Sequence, residues 1–132
     1  TAANERAQLM VAIRAYNDSN YTKAIEYLDK TSVSSEIIGA GVYSLKGDCY
    51  ANLNKLDEAV SEYENAVNKA NGNPMITPFI LIKMANVYAQ QKNYAKEYEC
   101  YNTIRTDYQA YVQQARINID KYVERARIRA GK

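Results

Sequence analysis

Apolar positions recur along this chain at intervals of three and four residues, the spacing of one helical face. Leu9, Ala12, Ile13 and Tyr16 predict a helix over Glu5 to Tyr16. Asn17-Asp18-Ser19-Asn20 then reads as a turn, because these side chains bond nearby backbone. Ala24, Ile25 and Leu28 mark a second helix over Tyr21 to Lys30, followed by a polar linker from Thr31 to Ser35. Either Ser34 or Ser35 can cap a third helix that starts near Glu36 and runs to about Leu53. After an Asn54-Lys55 turn, Ala59, Tyr63, Ala66 and Val67 mark a fourth helix over Asp57 to Ala70. Asn71-Gly72-Asn73-Pro74 stops it, since Gly and Asn accept left-handed backbone and Pro cannot continue a helix.

A fifth helix is predicted from Thr77 to Gln91, with Thr77 as its cap and Pro78 in the first turn, where a missing donor costs nothing. Gln91-Lys92-Asn93 makes a turn into a sixth helix, Tyr94 to about Thr106. Beyond Asp107, Val112, Ala115, Ile119, Tyr122, Val123 and Ala126 predict one long seventh helix. Its apolar side is expected to cover the preceding helices near Tyr94, Tyr98 or Tyr101, with Arg116, Arg125, Arg127 and Arg129 pointing mainly to solvent. No segment alternates with period two, so no sheet is expected, and the fold class is all-α.

A three-beat pattern runs through these helices: Tyr21–Ala24–Leu28, Leu56–Ala59–Tyr63 and Tyr94–Glu97–Tyr101. The near-even spacing of their first members, Tyr21, Leu56 and Tyr94, is close to the period of a two-helix solenoid repeat. Gly47–Tyr50 and Ala85–Tyr88 recur upstream of the second and third copies. Small residues followed by large ones on paired helices predict close stacking along one axis, an architecture used mainly for binding proteins.

Composition narrows the chemistry. The chain of 132 residues suits a single domain, residues 1–132. Thirteen tyrosines and no tryptophan supply large apolar faces with polar tips. There is no histidine, which excludes Ser-His-Asp and Cys-His constellations and the commonest general base. Gly39-Ala40-Gly41 lacks the spacing and the lysine of a phosphate loop. Acidic pairs such as Asp57-Glu58 and Glu62, Glu64 fit solvated helical faces better than catalysis, and Asp57-Glu58 also suit a helix N-terminus. Cys49 and Cys100 stand alone, far from any CxxC spacing, and read as buried free thiols in preference to a disulfide or a metal site. These readings predict no enzyme, no cofactor and no metal.

The net charge of +2 is uneven, with +4 from Gln109 onward and −2 before it. A basic last helix can meet acidic lipid or nucleic acid. A solvated face, helped by cations near a helix C-terminus, is the simpler account. No contiguous basic face with stacking aromatics is apparent, so no nucleic-acid partner is expected. No apolar run approaches the ~20 residues that span a bilayer, and no direct membrane contact is expected of this segment. The first residue is Thr1, not Met, which suggests a piece excised from a longer protein and starting within a helix.

With the period in place, the chain resembles the tetratricopeptide repeat family. Ala40 to Asn71 carries the likeness best, through Tyr43, Gly47, Tyr50, Ala59, Tyr63 and Ala66 at the family's offsets. Gly47 and Ala59 are expected to face each other where the two helices come closest. Glu5 to Thr31 keeps Ala12, Tyr21, Ala24 and Leu28 but has Ala15 where a Tyr is usual. Pro78 to Gln109 keeps Leu81, Ala85, Tyr88, Tyr94, Tyr101 and Ile104 but has Glu97 in place of the family's most regular alanine, where a carboxylate must snorkel or pair. The resemblance implies a right-handed α–α superhelix of three helix pairs (repeats about 5–31, 40–71 and 78–109) plus a capping helix over about 109–129.

It also implies a non-enzymatic scaffold that holds a protein or peptide partner in a concave groove lined by the first helix of each repeat. The groove positions fall on Leu9, Ile13 and Tyr16, then Ser44, Asp48, Ala51 and Asn52, then Ile82, Asn86, Ala89 and Gln90. Leu9 and Ile13 equally suit contact with a preceding repeat. Asp48 would repel a peptide carboxylate, so the family's carboxylate clamp is not expected despite Asn86. A structural spacer or assembly module with no specific groove ligand is the alternative. The stretches Asn73-Pro74-Met75-Ile76-Thr77-Pro78 and Asp120-Lys121-Tyr122-Val123-Glu124-Arg125-Ala126 are similar to a group of Gram-negative tetratricopeptide proteins. Those carry an N-terminal membrane anchor with periplasmic repeats, organised like the ancillary subunit of the Sec translocon. That likeness implies envelope protein handling in the periplasm, with a cytoplasmic location as the alternative.

Overall fold

A computed structural model describes residues 2–32 and 34–132; Thr1, and Val33 in the polar linker, lie outside them. Among the described residues there are eight helices and no strand, so the fold is all-α. No helix among them is long and apolar enough to cross a membrane. The chain gathers into two compact units, one ending at Ala70 and one running from Asn71 to Lys132.

The first unit contains α1 (Ala2–Asn17), α2 (Tyr21–Leu28), α3 (Glu36–Asn52) and α4 (Leu56–Ala70). α1 packs on α2, α2 on α3, and α3 most extensively on α4. One cluster at its centre joins buried Ala12, Ala15, Ala24, Leu28, Val42 and Cys49, with Leu9, Tyr16, Ile25 and Leu45 packed against it. Three of these six buried residues are alanines, so the helices approach closely and larger side chains fill the flanks. Ser35 starts α3, its Oγ accepting the backbone N–H of Ile38 at 3.3 Å. Lys46 on α3 ties three helices together. Its ammonium lies 2.7 Å from Asp29, which closes α2, and 2.8 Å from Glu62 on α4. Burial alone would lower the Lys46 pKa, but the bonds to Asp29 and Glu62 outweigh it and hold the ammonium above its ordinary value.

The second unit contains α5 (Ile76–Gln90), α6 (Tyr94–Asp107), α7 (Gln109–Ala115) and α8 (Ile119–Arg129). α5 packs on α6, and α8 packs on the same α6. Its buried residues include Ile80, Leu81, Met84, Ala85, Tyr88, Tyr101, Ile104, Ile119, Val123 and Ala126.

The period seen in the sequence returns as backbone geometry. Ser19, Asn54 and Lys92, which keep the spacing of Tyr21, Leu56 and Tyr94, each adopt left-handed φ, at 61°, 59° and 59°. The next residue in each case (Asn20, Lys55, Asn93) donates its N–H back to the preceding helix, to the carbonyls of Ala15, Tyr50 and Tyr88, at 2.8 Å. Such a 6→1 bond closes the preceding helix and satisfies one of its orphan carbonyls. Asn20 and Asn93 then cap the following helices, their side chains accepting from Lys23 and Lys96 at 3.3 Å. None of the three left-handed residues is a glycine, so the turn is set by the repeat and not by glycine's freedom.

Two expectations are corrected here. Thr77 is not the cap of α5. Asn73 does that work, its Oδ1 accepting from the N–H groups of Met75 and Ile76 at 2.9 Å, while Thr77 is buried inside the first turn. The long seventh helix is two helices. Arg116 turns left-handed (φ 55°, ψ 45°), and Ile117 donates back to Val112 at 3.1 Å, ending α7 before α8 begins. Ala115 is consequently exposed and Val112 only half-buried, while Ile119, Val123 and Ala126 of α8 are buried. A Cβ on Gly47 would meet the Tyr63 ring first, so Tyr63 fills the space beside this glycine.

Arg125 and Arg129 are exposed, as expected, and both also reach a buried carboxylate. Arg129 Nη2 lies 2.7 and 2.8 Å from the two carboxylate oxygens of fully buried Glu97, and Arg125 lies 4.0 Å away. The carboxylate that breaks the repeat pattern is thus what α8 grips on α6. Arg116 is exposed as expected, and Arg127 pairs at the surface with Glu124.

Candidate interaction surface

The groove positions expected from sequence fall partly in each unit. In the first, Tyr16, Asp48 and Asn52 come together beside Tyr63. The Tyr63 hydroxyl donates to Asp48 Oδ1 at 2.6 Å, and Asn52 Nδ2 donates to the Asp48 backbone carbonyl at 2.8 Å. Tyr16 stands edge-on to Tyr21, with ring centroids 5.5 Å apart. Burial, and then the nearby Asp48 carboxylate, raise the Tyr16 phenol pKa above its ordinary value. Burial and the bond to Asp48 raise the Tyr63 phenol much further. The Tyr63 phenol therefore stays protonated and acts as the donor to Asp48.

The remaining positions divide by exposure. Ile13 is 44% exposed, and with Met10, Arg14, Asn17 and Asp18 it lines a shallow hollow on the outer side of α1. Leu9 is half-buried against the core, and Ala51 is half-buried on α3. Ser44 is buried, at 7% exposure, which removes it from any surface a partner can touch; its expected groove position is corrected to the interior.

In the second unit, Asn86 repeats the part played by Asp48. The Tyr101 hydroxyl donates to Asn86 Oδ1 at 3.4 Å, and both partners are offset from Asp48 and Tyr63 by the same one-repeat interval. Asn86 is exposed and Ile82 half-buried, and the two share a half-open cleft of about 200 Å³ with Tyr101, Ile117, Ile119 and Tyr122. Ala89 and Gln90 lie further along α5, half-buried and exposed, and do not line it. Sequence reasoning missed Ile117 and Ile119 as lining residues. Their position depends on the left-handed turn at Arg116, and no glycine or proline announces it. For Tyr101 and Tyr122 the helical spacing signals packing alone, and their rings do pack, with centroids 5.4 Å apart.

Both cysteines are buried free thiols. Burial, reinforced by the neighbouring Asp48 carboxylate, pushes the Cys49 thiol up to about 11. Burial, with Glu99 adding to it, pushes Cys100 up to about 12. Neither thiol is a nucleophile at neutral pH, because the thiolate is the reactive form. Native protein is expected to resist iodoacetamide near pH 8 while both cysteines alkylate in urea; fast native labelling would contradict their burial. The linkage has a definite sign. A folded-state pKa above the unfolded value of about 8.5 means that the unfolded chain releases these protons first. The thiols' contribution to stability is whole below about 8.5 and is lost as pH rises through 11 to 12. The urea midpoint should therefore fall in mild alkali, and a Cys49→Ala, Cys100→Ala variant should fall less.

A scan against protein-family models finds no match for this chain, and a search of curated protein sequences finds none.

Proposed function

We propose that this chain is a helical-repeat module of the tetratricopeptide type that holds a polypeptide partner and performs no catalysis. The observation that carries the proposal is the recurrence, one repeat further on, of one bond between paired helices, Tyr63 to Asp48 and Tyr101 to Asn86. It accompanies the threefold left-handed turn at Ser19, Asn54 and Lys92. A repeated unit with the same internal lock and the same turn supports a right-handed solenoid of three helix pairs closed by α8. Solenoids of this kind expose side chains of their first helices for recognition. The reading extends to envelope protein handling by a membrane-anchored, periplasmic protein, on the strength of the sequence likeness alone.

Ile13 and Gln90 are exposed candidate positions, one in each unit, whose replacement leaves the cores intact. Wild-type chain and an Ile13→Asp, Gln90→Arg variant should be immobilised in parallel and their bound proteins compared. The variant is expected to keep its helicity and melting temperature and to lose a partner that wild type retains. Identical partner sets would favour a spacer with no specific ligand.

A further inference from the structure

We propose that the cleft at the α7–α8 break is a subsite for one branched aliphatic side chain of a polypeptide, with the Asn86 amide donating to the adjacent backbone carbonyl. This rests on the reading of the chain as a polypeptide-binding module.

The cleft measures about 200 Å³. That is several times the ~30 Å³ share of one water and somewhat larger than the ~150 Å³ apolar cavity that accepts a benzene. It is smaller than the ~300 Å³ at which sites for drug-sized molecules begin. A single side chain is therefore the unit that fills it. Its six lining residues are Ile82, Asn86, Tyr101, Ile117, Ile119 and Tyr122, none of them charged at neutral pH. No charged side chain lines the cleft and three isoleucines supply much of its wall, which favours an apolar occupant.

The one amide in the cleft gives direction. Asn86 Oδ1 is engaged by the Tyr101 hydroxyl, which leaves the Nδ2 hydrogens as the groups offered to a ligand. Those donors suit the carbonyl next to the buried side chain, because an extended peptide presents one such acceptor per residue. The break at Arg116 also acquires a use. An uninterrupted helix would carry Ile117 and Ile119 onward in helical register, whereas the left-handed turn sets both into the wall of the cleft.

The test uses the full chain, labelled at isoleucine methyls and amide nitrogens, titrated in NMR with the N-acetyl methylamides of leucine, alanine and lysine. The leucine probe is expected to shift the methyls of Ile82, Ile117 and Ile119 and the side-chain amide of Asn86. The alanine probe, with three fewer carbons to bury, should bind weaker by on the order of tenfold or more, and the lysine probe should leave these signals unmoved. Ile82→Trp, which fills the cleft, should abolish the leucine response. Asn86→Asp keeps an acceptor for Tyr101, as Asp48 does for Tyr63, but loses the donors, and should weaken the leucine probe by about fivefold.

No response up to the solubility limit would overturn the proposal. So would shifts confined to other residues, equal binding of leucine and alanine, or a response that survives Ile82→Trp. Failure here beside a partner lost by the Ile13→Asp, Gln90→Arg variant would remove the subsite and keep the module. Probe binding beside an unchanged partner set would do the reverse.

Discussion

Arg129→Ala is expected to destabilise the chain by roughly 3–5 kcal/mol, the cost of stranding one member of a buried ion pair. Glu97 is fully buried, and both of its carboxylate oxygens are held by Arg129 at 2.7 and 2.8 Å. With Arg129 removed, Arg125, at 4.0 Å, is left beside a charge that has lost its water. The partner's half-exposed position and the remaining Arg125 favour the lower end of that range.

Removing the other partner should cost much less. Glu97→Ala places the repeat's usual small residue on α6, and Arg129, 36% exposed in its side chain, can return to solvent. The double variant should accordingly be more stable than Arg129→Ala alone. Urea unfolding followed by circular dichroism checks the order. An Arg129→Ala chain within about 0.5 kcal/mol of wild type, the usual range for surface substitutions, would mean that the pair does not hold α8 on α6.

Gly47→Ala should destabilise by roughly 1–3 kcal/mol through overpacking. The same substitution earlier on the helix, Gly41→Ala, should stabilise by up to about 1 kcal/mol. Both glycines lie inside α3, where alanine is the better helix former. A Cβ on Gly41 meets nothing within 4 Å, so only the propensity gain remains. A Cβ on Gly47 would lie 2.5, 2.6 and 2.9 Å from three atoms of the Tyr63 ring.

That ring cannot step aside cheaply. Tyr63 is 3% exposed, and its hydroxyl is tied to Asp48 at 2.6 Å. Opposite signs for one chemical change on one helix separate packing from propensity. Equal thermal shifts for Gly41→Ala and Gly47→Ala would remove the close approach of α3 and α4 from the account. Tyr63→Leu, combined with Gly47→Ala, should recover part of the loss by making room, although it gives up the bond to Asp48.

Much of the helical architecture was legible because its determinants are local. The stripe Leu9, Ala12, Ile13, Tyr16 predicts α1, and Asn71-Gly72 mark the end of α4, where both residues do take positive φ. Ser35 caps α3 as a serine before a helix is expected to. The expected cap at Thr77 failed only by neighbourhood. Thr77 and Asn73 are both capping residue types four positions apart, and composition does not choose between them. The candidate surface was legible in part: Asp48 and Asn86 stand out by position, but nothing local distinguishes the phenols that engage them from filler.

The helical period and the turns depend on residues within a few positions of one another, and the repeat on the recurrence of such short patterns, so all three are readable along the chain. Tertiary structure alone decided three further things. It paired Glu97 with Arg129, 32 positions away, a choice among several arginines that no local pattern ranks. It fixed how tightly the Tyr63 ring closes on Gly47, because the separation of two helices is set by every side chain between them. And it broke the last helix at Arg116, whose neighbours keep helical spacing on both sides. There the apolar stripe continues in phase across the break, so periodicity registers one helix, while the burial of Ile119, Val123 and Ala126 in α8 accompanies two.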